Sequence, residues 1–321
     1  MKNWISRPAE VEAKVLEWQK RFPELLDVET ITQYVGTKVY GLAITDKKAP
    51  RAGKKVLLAT QPHAHEPATT AAMMSVTCQL LEGRLLDGTP TKLDRERILR
   101  QVVFNCVPLG NPDGSSRAPV EYWDGSYCNN EEFWCWMRGK DRKTGKMWKR
   151  LGRWSTRVET DHPERIGIVY EQLNEHEYAE PNRCLDSSFF RMALRLNEKH
   201  GCDQWLDLHQ TEFEKSQYNC MIILPLVQKE LPPHIQAYNL KWGEEVVEAM
   251  RREGGNPIPK VEPLNYTGEQ AAYFRDLWGP LEDRIPVITS EIQNNNPRTS
   301  PDMQRRLEEA CLRVSLERLL H

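Results

Sequence analysis

The chain contains no long apolar run. Across its 321 residues no stretch approaches the ~20 consecutive apolar positions of a bilayer-spanning helix, and hydrophobic residues make up 39%. It also lacks an excess of either charge. Lys+Arg 44 against Asp+Glu 46 leave a formal charge of -2, so no global field draws nucleic acid or an acidic membrane. No CxxC pair occurs. The eight cysteines, at positions 78, 106, 128, 135, 184, 202, 220 and 311, are scattered and read as reduced thiols, several of them packed in strands. The N-terminal Met1-Lys-Asn-Trp-Ile-Ser-Arg lacks the apolar centre of a secretory signal, and with reduced cysteines the expected compartment is the cytoplasm. Internal repeats and disordered linkers are missing too, so one domain over 1–321 is expected.

What is present is a recurring unit: a short apolar run ending in polar residues. Lys55-Val-Leu-Leu-Ala-Thr60 leads to His63, Val102-Val-Phe-Asn-Cys-Val-Pro108 to Gly110-Asn-Pro-Asp-Gly114, and Gln204-Trp-Leu-Asp-Leu208 to His209. Pro286-Val-Ile-Thr-Ser290 leads to Glu291, and Tyr218–Leu224 is a further strand. Two β-rich runs around a turn occupy 31–45. Amphipathic or apolar periodicity predicts helices at 8–20, 68–82, 184–199, 236–253 and 302–320. Strands alternating with helices predict an α/β domain, with the active site along the strand ends.

Residues 120–160 break the pattern. Trp123, Trp134, Trp136, Trp148 and Trp154 crowd there, and between Arg138 and Arg157 the single acid is Asp141 among many Lys and Arg. Such an insertion is either a solvated excursion tacked down by its tryptophans or a wall of a cleft that favours anions. A single-stranded nucleic acid surface has no support outside 138–157.

The chemistry concentrates in Gln61-Pro-His-Ala-His-Glu-Pro67. His63 and Glu66, three residues apart on a turn, can both reach one Zn²⁺ at about 2.0–2.2 Å. A catalytic zinc takes three protein ligands and keeps one open position, and His209, at another strand end, is the natural third. Such a set polarises a carbonyl and lowers the pKa of bound water. His65 has the wrong spacing for a ligand and is expected to point away or line the cleft rim.

In order along residues 30–295, Tyr34-Val-Gly-Thr-Lys-Val-Tyr-Gly-Leu-Ala-Ile44, His63-Ala-His-Glu66, Asn111-Pro-Asp-Gly114, Asn182-Arg183, Leu208-His209 and Ser290-Glu291 resemble the zinc carboxypeptidase family. The resemblance implies a twisted mixed β-sheet with helices on both faces and one Zn²⁺ per chain on His63, Glu66 and His209. It implies Glu291 as the general base and Asn182 with Arg183 as the pair holding a substrate's carboxylate, a task suited to a guanidinium fork. Glu180 stands where the family has an Asp that orients the first zinc-binding His. Asp113 shapes its turn.

Two features depart from the family. The carbonyl-polarising Arg falls in an interval with many arginines, where Arg138 is preferred over Arg117. For the mobile Tyr upstream of the base, Tyr266 is preferred, leaving Tyr273 near the side-chain specificity pocket. The implied function is a metallopeptidase that hydrolyses a peptide or amide bond beside a free carboxylate, with no nucleic acid or membrane partner. A zinc deacylase of N-acyl amino acids and an inactive binding protein are the competing readings; substrate identity and oligomeric state stay open.

Overall fold

The computed structural model describes residues 3–321. Helix α1 (Pro8–Arg21) precedes strands β1 (Leu26–Thr32) and β2 (Lys38–Ile44), which pair as an antiparallel hairpin. Then come β3 (Lys55–Thr60), α2 (Pro67–Glu82), α3 (Arg95–Gln101) and β4 (Val102–Val107). The middle of the chain holds α4 (Pro112–Arg117), α5 (Asn130–Arg138), the short strands β5 (Arg153–Ser155), β6 (Glu171–Gln172) and β7 (Glu177–Ala179), and a 3-10 turn at Pro181–Arg183. The last part is α6 (Ser188–His200), β8 (Gln204–Thr211), β9 (Cys220–Ile223), α7 (Pro233–Arg252), α8 (Gly268–Glu282), β10 (Val287–Gln293) and α9 (Pro301–Arg318).

Seven strands form one mixed sheet in the order β1-β2-β4-β3-β8-β10-β9. Its centre, β4, β3, β8 and β10, is parallel, so all four strands end on one edge. The strand order turns back between β3 and β8, and the crevice outside such a switch is where an open α/β sheet holds ligands. Side chains alternate across a strand. Leu206, Leu208, Ile288 and Ile292 therefore enter the core with α2, α7 and α9, while Trp205 and Val287 pack with Phe190 and Trp278 of α6 and α8 on the other face. Helix α2 is charge-free until Glu82 and almost wholly buried; Gly83 ends it in the left-handed region at φ 72°, where a side chain would be strained.

The expected twisted α/β sheet with helices on both faces is present. Two strands run further than the sequence reading placed them: β8 continues through His209 to Thr211 and β10 through Glu291 to Gln293. These polar residues remain in the ladder because their neighbours on the other face, Leu208 and Ile292, are fully buried.

The tryptophan-rich insertion is a small folded body, and it reaches Ala179, beyond the expected boundary near 160. Strand β7 pairs with both β5 and β6, and Tyr170 and Tyr178 complete a core around Trp148, whose ring centroid lies 4.0 Å from that of Trp154. The Asn111-Pro-Asp-Gly114 turn fastens this body to the sheet. Asn111 Nδ2 donates to the carbonyls of Ile168 and Val169 at 3.3 and 3.0 Å, and Gln172 N donates to Asp113 at 3.0 Å. A Cβ on Gly114 would lie 1.9 Å from Ile168 O, so only glycine fits.

Candidate metal centre and substrate cavity

His63 and Glu66 sit on the turn after β3, His209 on β8 and Glu291 on β10. His209 and Glu291 are direct partners in the parallel register. The turn is held by Gln61, which donates to His63 O, and by Asn294 Nδ2, which donates to His65 O at 2.9 Å.

The two imidazoles face each other through Nδ1 at 3.1 Å. Glu66 Oε1 lies 3.0 Å from His63 Nδ1 and Oε2 3.2 Å from His209 Nδ1, yet Oε2 is buried with no hydrogen-bond partner. Both outer nitrogens are occupied. His63 Nε2 meets Asn182 Oδ1 at 3.0 Å and Glu180 Oε1 at 3.2 Å, and His209 Nε2 meets Asp207 Oδ2 at 2.8 Å. Acceptors at Nε2 keep the proton there and turn the Nδ1 lone pairs inward. Two inward lone pairs and an unpartnered carboxylate oxygen, with ligand atoms all within 4.8 Å of one another, are a donor set that fits a divalent cation of the zinc type.

Electrostatics agree with that fit. Burial raises the Glu66 carboxyl, but positive charge at His63 and His209 outweighs it and holds it well below the usual range. Burial together with the Glu66 charge pushes Glu291 up to about 8, against the opposing influence of His209. Glu291 is partly exposed to the cavity, and its Oε2 has no partner.

A cavity of about 330 Å³ opens over these residues. The insertion forms one wall with Trp134, Met137, Arg138 and Arg150, while Trp148 and Trp154 pack its own core. Trp134 Nε1 donates to Glu212 at 3.2 Å, joining that wall to the end of β8. Arg138 is buried and gives both terminal nitrogens to Glu180, at 2.6 and 3.3 Å. Arg183 reaches the same carboxylate at 3.1 Å. Arg117 lies elsewhere, bound to Asp113 and to the carbonyls of Ile166, Gly167 and Tyr170. Burial and the charge of Arg138 lower the pKa of Arg150, whose Nε has no acceptor among the described residues.

Helix α8 supplies the opposite wall. Phe274, Trp278 and Glu282 recur at helical spacing and line the cavity. The Arg183 guanidinium lies 5.1 Å from the Phe274 ring centroid, and Tyr266, also a lining residue, stacks on that ring at 5.3 Å. Trp278 Nε1 donates to Asn182 O at 3.1 Å.

Tyr273 requires a correction. It does not line the cavity, because its position on α8 is turned away from Phe274 and Trp278. Its hydroxyl instead donates to Arg183 O at 2.6 Å, which secures the Asn182-Arg183 turn from behind. Of the two expectations for His65 the structure bears out the second: it is buried, lines the cavity and lies 3.3 Å from Glu66 Oε1, and burial pushes its pKa down to about 3.

Asp207, Arg150 and Glu282 were missed in the sequence. Asp207 had a signal, since it stands two before His209 on the same strand face; the other two had none.

The zinc carboxypeptidase family model matches residues 11–163. In structure the chain is similar to carboxypeptidase A from Helicoverpa armigera, with TM-score 0.60 and 17% identity over 100% of this chain and 74% of that one. It is also similar to a metallo-carboxypeptidase from Burkholderia cenocepacia, with TM-score 0.58 and 17% identity over 96% and 68%. A metallo-carboxypeptidase from Pseudomonas aeruginosa in complex with (2-guanidinoethylmercapto)succinic acid gives TM-score 0.55 and 17% identity over 97% and 69%. No curated protein sequence matches.

Proposed function

We propose that this chain, which has the zinc carboxypeptidase fold, is a zinc-dependent hydrolase that cleaves a peptide or other amide bond next to a free carboxylate. One observation carries the reading: the inward-facing Nδ1 atoms of His63 and His209 beside the unpartnered Glu66 oxygen, within reach of a cavity that also holds Glu291 and Arg183. The Pseudomonas relative binds a succinic acid derivative, which supports a carboxylate-bearing ligand here.

His63, Glu66 and His209 would hold the zinc, which when bound polarises a carbonyl and acidifies water. Glu291 takes a proton from the attacking water and delivers it to the departing amine, so it must begin as a carboxylate. A cation beside it favours that form and opposes the effect of its burial. Arg183, buried except toward the cavity and stacked on Phe274, receives the substrate carboxylate with Asn182. Tyr266 covers the bound amide. Arg138 spends its fork on Glu180, so it fixes the carboxylate that orients His63 and contributes positive potential at the carbonyl oxygen. Arg150, without a carboxylate of its own, adds to that potential.

The test combines metal analysis with a substrate panel. One zinc per chain is expected, with hydrolysis of peptides or N-acyl amino acids abolished by chelator. In Glu291→Gln the zinc should stay while turnover falls at least about 100-fold, the low end for general acid–base catalysis. A purified protein that takes up no stoichiometric zinc would sink the proposal. Cleavage of N-acyl amino acids with dipeptides spared would move the activity to deacylation on the same centre.

A further inference from the structure

Helix α2 begins on a candidate metal ligand, and that creates a local conflict. Glu66 occupies its N-cap position, from which a side chain ordinarily accepts a bond from the free N–H groups of the first turn. The Glu66 side chain makes no such bond, because its carboxylate is turned toward the imidazoles of His63 and His209. Pro67 has no N–H. The first donor of the helix is therefore Ala68 N, in a fully buried residue, and a buried donor left unpaired is costly.

Gln210 resolves the conflict. Its Oε1 accepts from Ala68 N at 3.0 Å. It follows His209 on β8 but stands on the opposite face of the strand, in line with Leu206 and Leu208 of the core. Its Nε2 donates to Gln304 Oε1 of α9 at 2.9 Å, and Gln304 Nε2 donates to the carbonyls of Trp123 and Thr299, each at 2.9 Å. Both glutamines are buried. A backbone N–H can only donate and a carbonyl can only accept, so the two ends of this relay fix its direction. Each amide has one orientation that satisfies it.

We infer that Gln210, anchored by Gln304, is a positioning residue that caps α2 in place of Glu66 and so leaves the Glu66 carboxylate free to face the metal. This rests on the reading of His63, Glu66 and His209 as a zinc centre. Without Gln210, Ala68 N–H is an orphan at a helix N-terminus, where negative charge is favoured, and the N-cap side chain is the group placed to take it. Helix and metal then compete for one carboxylate.

The test is a double-mutant cycle read by zinc affinity, in competition with a fluorescent chelator. Gln210→Met keeps the length of the side chain and removes its acceptor. It should weaken zinc binding about 10–100-fold, the range for losing the partner that orients a metal ligand. In a Glu66→Ala background the same change should cost almost nothing more, because the residue through which Gln210 acts is gone. Gln304→Met leaves Gln210 in place without its anchor; it should lose zinc affinity by a smaller factor, and it carries the cycle if Gln210→Met does not fold. Asn239→Leu, in α7, removes another buried amide, which donates to Gln228 at 3.1 Å. It should lower the urea midpoint while zinc affinity stays at the parent value. Unchanged zinc affinity in Gln210→Met overturns the inference, and so does an equal loss with and without Glu66, which assigns Gln210 to packing alone. Both leave the zinc centre standing. A parent chain that takes up no zinc removes the metal reading itself, and the inference with it.

Discussion

His209 owes its orientation to a relay of buried groups. Trp205 Nε1 donates to Thr60 Oγ1 at 2.8 Å, Thr60 donates to Asp207 Oδ1 at 2.6 Å, and the other Asp207 oxygen accepts from His209 Nε2. Removing the acceptor frees the ring and lowers the basicity of the inward nitrogen. Asp207→Ala is therefore expected to weaken zinc affinity by about 10–100-fold, read by competition with a fluorescent chelator. Unchanged affinity would mean that the Asp207 contact does not set the tautomer. The residues of the candidate centre were legible in the sequence: His63 and Glu66 share a turn after a buried run, and His209 follows another. Asp207 looked like one more strand residue in Trp205-Leu-Asp-Leu-His209. Arg150 could not be told from the other cations around it, because what distinguishes it is its place in the cavity wall.

At the scale of elements, helix α8 was the largest omission from the sequence reading. Gly268, Gly279 and Pro280 weaken its periodicity, and half its work is done by polar atoms: Tyr273 and Trp278 bind the backbone of Arg183 and Asn182. Its last residue carries a pH signature. The folded-state pKa of Glu282 is raised from 4.5 to about 8. Below pH 4.5 the group is protonated in both states. Above it the folded chain retains a proton that the unfolded chain releases, so its contribution falls as pH rises and is lowest above about pH 8. Glu282→Gln should accordingly match the parent in Tm near pH 4.5 and exceed it increasingly toward pH 8.5. A Tm difference constant with pH would show that the carboxyl is not isolated. The wall opposite is held by tryptophan packing. Trp148→Ala removes a fully buried ring and its Nε1 bond to Arg165 O at 2.9 Å, and is expected to cost about 3–5 kcal/mol in urea unfolding. The sequence flagged this wall by its tryptophans and basic residues, but not its extent, because Tyr170 and Tyr178 join its core from beyond 160.

Over the whole molecule, alternation of apolar runs and helices made the α/β architecture readable, while the order of strands came from pairings between distant segments. The candidate metal centre sits where those pairings meet, so the proposed zinc would bind the folded chain far better than the unfolded one. Excess zinc at about 100 times its Kd should add about 2.7 kcal/mol to stability. A thermal melt with and without chelator measures this, and coincident melts would contradict a preformed centre.

His63 and Glu66 come from the turn after β3, whereas His209 waits for β8, and β8 gains its outer neighbour only when β10 inserts between it and β9. A ribosome delivers these pieces in order. During synthesis the nascent chain first displays two of the three candidate ligands, and the cavity beside them is not complete until β10 has emerged at residue 293. Occupation of the candidate centre by the proposed zinc would follow the pairing of β3 with β8, and a zinc-loaded chain would be one in which that pairing has formed.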